Sequence, residues 1–318
     1  MEPIYSSDQL IAYAIAIAKE GRRKRVAVAA AQDADVIGAV AQAQADGFIS
    51  AVLVGDRARI TRLATDSHID IESLEIIDRT DVSDAAHVAV QLASDGKADA
   101  VMKGFLPTSA LLKTVLDKRY GLRGKDTLSH CAVLDIPGYH KMLNFTDGGM
   151  VVKPNIEQKL EILENAVLVS RALGLSPVKI AVSAAIENPS ERIPHTLSDI
   201  GDIVPAARER FAGIAIQSPV PLDVAMSREM ARSHNLEGPV VGDADVYLVD
   251  SIEEGNIVAK SLIQFAEAVF AGVIVGARVP VSLVSRTDTV KNKKASLALA
   301  CVIADYYERN HVWGKGGQ

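Results

Sequence analysis

The chain has 318 residues, of which 48% are hydrophobic, with a formal net charge of −6 and a sequence pI near 5.7. Apolar material on that scale suffices for a large core, in two lobes or one large domain, and the acidic balance disfavours nucleic acid or an anionic membrane as partner. Anionic small molecules then need a local cationic site, so Lys and Arg clustered at loop ends are the residues to watch.

Aromatics make up only 4% while Ala and Val abound, the profile of layered α/β packing around an aliphatic core. In chain order the pattern predicts a helix over 10–19, a strand over 25–31, a helix over 35–46 and a strand over 49–54, with further strands over 74–77, 98–103 and 128–134. Such alternation predicts a parallel sheet with helices on both faces, a three-layer α/β/α arrangement. Pro137 and Gly138 interrupt the series, and a second one begins after Asn155. It comprises a helix over 156–173, strands over 179–184 and 213–216 with a helical stretch over 198–211 between them, a strand over 246–249, a helix over 255–268 and an extended segment over 271–285. A final helix over 289–307 is expected to return to the first lobe. The expected division is therefore residues 1–137 plus 286–318 against 138–285, with an active-site cleft between the lobes. The tail from His311 to Gln318 reads as a frayed end.

Cys131 and Cys301 are the only thiols, each in an apolar run, which predicts buried reduced cysteines and a cytoplasmic address. Apolar stretches fall well short of the roughly 18 residues that suggest a membrane helix. With no basic segment ahead of them, no signal peptide is expected. The chain lacks G-x-x-x-x-G-K-[ST], G-x-S-x-G and a strand-linked G-x-G-x-x-G, and its seven histidines show no zinc-ligand spacing.

Four strand-to-helix segments carry candidate chemistry. In the first, Lys103 ends a strand, Gly104 permits a tight turn, and Thr108 or Ser109 caps a helix whose free N–H groups suit an anion. In the second, Ser285 and Arg286 stand at the mouth of the last helix. There Lys291, Lys293 and Lys294 oppose the helix dipole, which favours a bound phosphate as counter-anion. Gly255 and Asn256 form the third, and Thr146-Asp147-Gly148-Gly149 the fourth. Each also reads as an ordinary capped loop, a solvated lysine patch or a turn, with Asp288 or Thr289 as the cap of the last helix.

Taken in order, these segments resemble the phosphate acetyl/butyryltransferase family from about residue 26 to 304. The pieces that carry the likeness are Met102-Lys103-Gly104 with Thr108-Ser109, Leu128-Ser129-His130, Thr146-Asp147, Glu157-Gln158-Lys159 with Asn165-Ala166-Val167, Glu254-Gly255-Asn256-Ile257 and Val284-Ser285-Arg286. The His130 region and the Glu157-Gln158-Lys159 helix look more like the butyryl branch than the acetyl branch. The resemblance implies a two-lobed fold like that of isocitrate and isopropylmalate dehydrogenases. It also implies transfer of a short acyl group between coenzyme A and inorganic phosphate, no metal or other cofactor, and a homodimer. Ser285 would bond near the thioester or thiol, and Arg286 would hold phosphate. Lys103, Gly104, Thr108, Ser109, Thr146, Asp147, Gly255 and Asn256 would bind substrate.

One departure stands out. The family usually has an Asp seven residues after the Ser of this motif, proposed as the base that deprotonates the thiol, and here that position is Asn292. An amide cannot take the proton. Asp288, four residues earlier and on the same face if the helix already runs there, is one substitute. Acidification of the thiol by nearby cations is another, and a catalytically impaired protein that binds coenzyme A or acyl phosphate is a third reading. A decarboxylating dehydrogenase on the same fold would need metal-binding aspartates, for which Asp199 with Asp202 and Asp243 with Asp245 are the candidates.

Overall fold

Short polar caps turn the alternation of apolar runs into a series of strand-loop-helix steps. The computed structural model describes residues 2–285 and 287–314, so Arg286 and the last four residues lie outside it. The chain divides into two units, Ser7–Asp126 with Phe270–Gln318 and Met1–Ser6 with Thr127–Val269.

The first unit opens with α1 (Ser7–Glu20), β1 (Lys24–Ala29), α2 (Ala34–Ala45), β2 (Ile49–Gly55), α3 (Arg57–Asp66), β3 (Glu75–Asp78), α4 (Val82–Ser94), β4 (Ala100–Lys103) and α5 (Thr108–Val115). Side-chain oxygens of Asp33, Asp56 and Asp81 accept from the N–H three residues on and so cap α2, α3 and α4.

The second unit runs through β5 (Ser129–Asp135), β6 (Met142–Thr146), α6 (Ile156–Ala172), β7 (Val178–Ser183), α7 (His195–Ser198), a π-helical turn (Asp199–Ile203), α8 (Val204–Arg210), β8 (Ile214–Val220), α9 (Leu222–Met226), α10 (Arg228–Ser233), β9 (Val246–Leu248) and α11 (Ile252–Phe265). Asn155 and Gln158 exchange bonds with each other's backbone N–H in a capping box that starts α6. The chain then returns to the first unit as β10 (Val269–Val275), β11 (Val281–Ser282) and α12 (Val290–Arg309).

Strand order in the first unit is β3-β2-β1-β4-β11-β10, parallel except for β10, and in the second β5-β6-β9-β7-β8, parallel except for β5. The α/β reading of the sequence is therefore correct, but its details need three corrections. The crossings lie at Asp126/Thr127 and Val269/Phe270, not at 137/138 and 285/286. Pro137 and Gly138 make a turn within the second unit that lays β5 antiparallel to β6, closed by a bond from the Tyr139 N–H to the Ile136 carbonyl. β11 pairs in register with β4, Val281 beside Val101, which ties it to the first unit. The helix expected over 198–211 is broken by the π turn, just where Pro205 removes an N–H from the ladder. The tail is not frayed at Trp313, whose ring meets Tyr307 edge-on at 5.5 Å.

α12 is buried along most of its length, from Asn292 to Tyr307, and packs on α1 and α2. Its middle, Leu297–Ala304, is wholly apolar, which suits such a position. Two of its buried polar residues serve β10: Asn292 accepts from the Phe270 N–H at 3.2 Å, and Ser296, one turn on, from the Gly272 N–H at 2.9 Å. Replacing Asn292 with Ala should therefore cost about 1–3 kcal/mol in urea unfolding, the cost of a buried donor left without its acceptor. A change within about 0.5 kcal/mol, typical of neutral surface sites, would show that the bond contributes nothing.

Candidate functional site

In an α/β unit ligands collect at the carboxyl ends of parallel strands, and the predicted residues of the first unit gather there. Lys103 ends β4 and is buried, its ammonium donating to the carbonyls of Gly104 and Leu106 at 3.3 Å. Gly104 passes so close to β1 that a Cβ would fall 2.3 Å from the Ala30 carbonyl oxygen. No side chain fits there. Thr108 and Ser109 do not cap α5: the cap position is Pro107, which has no side-chain acceptor, and Thr108 is already helical.

On the neighbouring strand β11, register with β4 carries the chain past Lys103 to Ser285. The exposed Ser285 hydroxyl lies 3.2 Å from that of Thr287, and the Ser285 N–H donates to the Asp288 carboxylate at 2.5 Å. Arg286, between them in sequence, is outside the described residues. Asp288 precedes α12, whose cap is Thr289, so it does not share a helical face with Asn292 as the sequence suggested. It is instead the clasp of the turn that presents Ser285. Asn292 is buried, and its side-chain oxygen accepts from the Phe270 N–H. The lysines at this helix start also differ from expectation. Lys293 is fully buried, donates to the Asp288 carbonyl and lies 3.8 Å from Asp35, while Lys294 pairs with Asp46. Carboxylates at the two ends of α2 supply the counter-charge that the sequence reading assigned to phosphate. Lys291 alone of the three is exposed.

The second unit brings the other two motifs into contact. Thr146 ends β6 and donates to the His130 carbonyl at 3.0 Å. Asp147 is 2% exposed and accepts from the N–H groups of Gly149 (2.7 Å), Met150 (2.9 Å) and Val151 (3.2 Å), which folds the following loop around its carboxylate. That loop rests on the start of α11. A Cβ on Gly148 would lie 2.8 Å from the Gly255 backbone, one on Gly255 2.7 Å from Gly148, and the Asn256 amide donates to the Gly148 carbonyl at 3.3 Å. Glu254 completes the corner, accepting from the Asp250 N–H at 2.9 Å and from the Ser183 hydroxyl. Burial lowers His130 to about 4, so its ring is neutral at pH 7.

Sequence reasoning placed Lys159 in a family motif but missed its role. Its buried ammonium bridges Asp199 and Asp250, each at 2.8 Å, beside a cavity of about 680 Å³. The signal was available: Lys159 falls three residues after Ile156 and four before Leu163, on the apolar face of α6. The same pairing bears on the aspartates weighed for a metal. Asp199 is engaged by Lys159, and Asp243 and Asp245 are both engaged by Lys141, at 2.8 and 2.5 Å. Among the described residues no group of three or more His, Cys, Asp or Glu is placed to hold a metal, and no helix is long and apolar enough to cross a membrane.

The model of the phosphate acetyl/butaryl transferase family matches residues 79–301, more than half of the chain. The chain belongs to the phosphate acetyl/butyryltransferase family. Within it, this chain is 37% identical over 286 residues to a phosphate butyryltransferase of Clostridium acetobutylicum, covering 90% of this chain and 95% of that protein. To a phosphate acetyltransferase of Thermotoga maritima it is 36% identical over 284 residues, covering 89% and 96%. A branched-chain phosphotransacylase from Enterococcus faecalis superposes with a TM-score of 0.79 at 30% identity, over 88% of this chain and 99% of that one. A 4-hydroxythreonine-4-phosphate dehydrogenase from Klebsiella pneumoniae, at TM-score 0.53 and 15% identity over 88% and 99% of the two chains, shares the fold alone. The dehydrogenase-like architecture inferred from the family motifs is thus correct.

Asp147 gives this family member a measurable signature. Burial pushes its carboxyl up to about 6, with the N–H bonds of the loop acting against that rise. Since the folded value exceeds the unfolded one, the folded state holds the proton more tightly, and the resulting stabilisation, complete below about pH 4, is lost as pH rises through about 6. Stability of the unaltered chain relative to Asp147→Asn should accordingly fall by on the order of 1–3 kcal/mol between pH 4 and 7. A difference that stays flat across that range in paired urea titrations would contradict the assignment.

Proposed function

We propose that this chain moves a short acyl group between the sulfur of coenzyme A and inorganic phosphate. The observation that carries the reading is the turn after β11, where Asp288 clasps the Ser285 N–H and leaves the Ser285 hydroxyl exposed beyond the strand that pairs with β4. A phosphate oxygen attacks the thioester carbonyl carbon, a tetrahedral oxyanion forms, and the carbon–sulfur bond breaks to leave acyl phosphate and thiolate. Donors near developing negative charge lower that barrier, a role that suits the Ser285 hydroxyl with the Arg286 guanidinium. The Asp288 carboxylate accepts from the Ser285 N–H. In the direction of acyl-CoA synthesis it takes the thiol proton, and in the opposite direction it returns it. In the first unit the substrate-binding residues are Lys103 and Gly104, with the hydroxyls of Thr108 and Ser109 at the start of α5, and in the second unit they are Thr146, Asp147, Gly255 and Asn256.

Butyryl or branched acyl groups are the favoured cargo. Relatives named for butyryl and acetyl transfer are almost equally similar, so this preference rests on the butyryl-like His130 and Glu157-Gln158-Lys159 segments and on the branched-chain enzyme among the structural neighbours. No metal or further cofactor enters the scheme. The reading as an impaired binding protein loses force, because Asn292 holds β10 and a carboxylate stands at Asp288 instead. A cytoplasmic homodimer is the working form we infer: the substrates and the buried thiols of Cys131 and Cys301 suit a reducing compartment, and α11 exposes Ile257 and Phe265.

Phosphate-dependent release of thiol should be seen from butyryl- and isobutyryl-CoA ahead of acetyl-CoA, unchanged by EDTA. Asp288→Asn, which retains an oxygen for the Ser285 N–H, should lower kcat by roughly 10²–10⁴, whereas Asn292→Ala should act on stability. Unimpaired turnover in Asp288→Asn would remove Asp288 from the chemistry, and thiol release that needs no phosphate would remove the transferase reading itself.

A further inference from the structure

A cavity of about 430 Å³, within the range of small-molecule sites, lies in the first unit at the amino ends of its parallel strands. Lys103 and Ser285 stand at the other end of the same strands, so none of the residues assigned to the reaction accounts for it. Arg22 before β1, Asp99 before β4 and Arg278 before β11 line it on the sheet side. Tyr307 near the end of α12 and Trp313 beyond that helix line it from the last part of the chain. Ala93, Ala98 and Ala304 also border it, and their small side chains leave the room.

Three features define what the cavity could hold. The first is a fixed aromatic wall: Trp313 meets Tyr307 edge-on at 5.5 Å and rests on Gly124, where a Cβ would come within 2.5 Å of the indole. Rings held in this way are preorganised to receive another flat ring. The second is a missing acceptor. The Trp313 Nε1–H is buried and has no partner among the described residues, which leaves a donor for a ligand oxygen or nitrogen. The third is charge. Arg22 makes two bonds to Asp99, at 2.6 and 2.5 Å, and Glu308 is held by Lys24 at 2.5 Å. The exposed Arg278 guanidinium makes no hydrogen bond or ion pair among the described residues, so it is the one Lys or Arg of the lining without a carboxylate. Helix carboxyl ends repel anions, and α4 and α12 both finish here. Their last carbonyls are already bonded, however: those of Gln91, Leu92 and Ala93, and of Tyr306, Tyr307 and Glu308, accept from the N–H groups that follow.

We propose that this cavity is a second ligand site, for a small planar ring carrying one anionic group, with the ring against Trp313 and Tyr307 and the anion at Arg278. A single uncompensated guanidinium matches a single anionic group, and an aromatic wall with a free N–H matches a ring that bears an acceptor. Free aromatic carboxylates and mononucleotides share that chemistry. The site does not depend on the acyl-transfer reading, because it uses neither the Ser285 turn nor the residues around Lys103.

Trp313 is the only tryptophan of the chain, so its fluorescence reports on this cavity without labelling and without turnover. Titration of the full chain with benzoate and, separately, with AMP should change the tryptophan emission saturably, and the tighter of the two names the source. Benzamide, a ring without the charge, and cyclohexanecarboxylate, the charge without a flat ring, should each bind about tenfold more weakly than benzoate or worse. Arg278→Ala, at an exposed position, should raise Kd for the tighter anion about tenfold or more, with the melting temperature and KM for butyryl-CoA unchanged. No emission change with either anion would overturn the assignment, as would a Kd that Arg278→Ala leaves as it was or benzamide binding as tightly as benzoate. A raised KM for butyryl-CoA in Arg278→Ala would overturn it too, since the cavity would then belong to the acyl carrier's own site.

Discussion

Backbone must touch backbone at a strand end in each unit, and the local arrangement of the candidate residues there follows from that constraint. In the first unit Gly104 lies against the Ala29 and Ala30 carbonyls, and the N–H groups of Gly104 and Phe105 donate to them at 2.9 and 2.6 Å. In the second, Gly148 and Gly255 meet with no room for a Cβ on either. Glycine at such points costs conformational entropy. The return is geometric: β4 turns sharply enough to leave Lys103 at its end, and the loop after β6 is held on the first turn of α11. A buried carboxylate with three ring-closing N–H bonds, Asp147, fixes the second of these contacts from inside.

Charge is arranged on the same economy of space. Lys293 and Lys294 are met by Asp35 and Asp46, Lys159 by Asp199 and Asp250, and Lys141 by Asp243 and Asp245. Buried ion pairs of this kind contribute little net stability, but removal of one partner leaves an uncompensated charge. The lysines that look most like anion ligands in sequence are therefore parts of the scaffold. Lys153 and Lys291, exposed and without ion pairs among the described residues, retain their charge for solvent or a ligand.

Periodicity made the layered α/β architecture legible because each parallel strand is a short apolar run followed by a polar cap and a helix. What it could not show was which strands pair. Pro137 and Gly138 read equally well as a lobe boundary or a hairpin turn, and only the antiparallel pairing of β5 with β6 separates the two. The close backbone approaches at Gly104 and Gly255 were legible as motifs, since glycine next to a strand end carries a steric meaning of its own. Side-chain partners were not. Asn292 looked like a damaged catalytic position because its long-range partner, the Phe270 N–H, is 22 residues away in sequence, and Thr108 looked like a cap because Pro107 beside it has no side-chain acceptor to reveal. Lys159 shows the converse: a cation on an apolar helical face was a visible sign of a buried partner.

The central claim is that the acyl group leaves sulfur for a phosphate oxygen and nothing else. Phosphorus NMR of the chain with butyryl-CoA and inorganic phosphate tests it directly. The account predicts an acyl-phosphate resonance that grows in step with free thiol and reverses when coenzyme A is added in excess. Thiol appearing while the phosphate resonance stays unchanged would mean that water is the acceptor, and would contradict it.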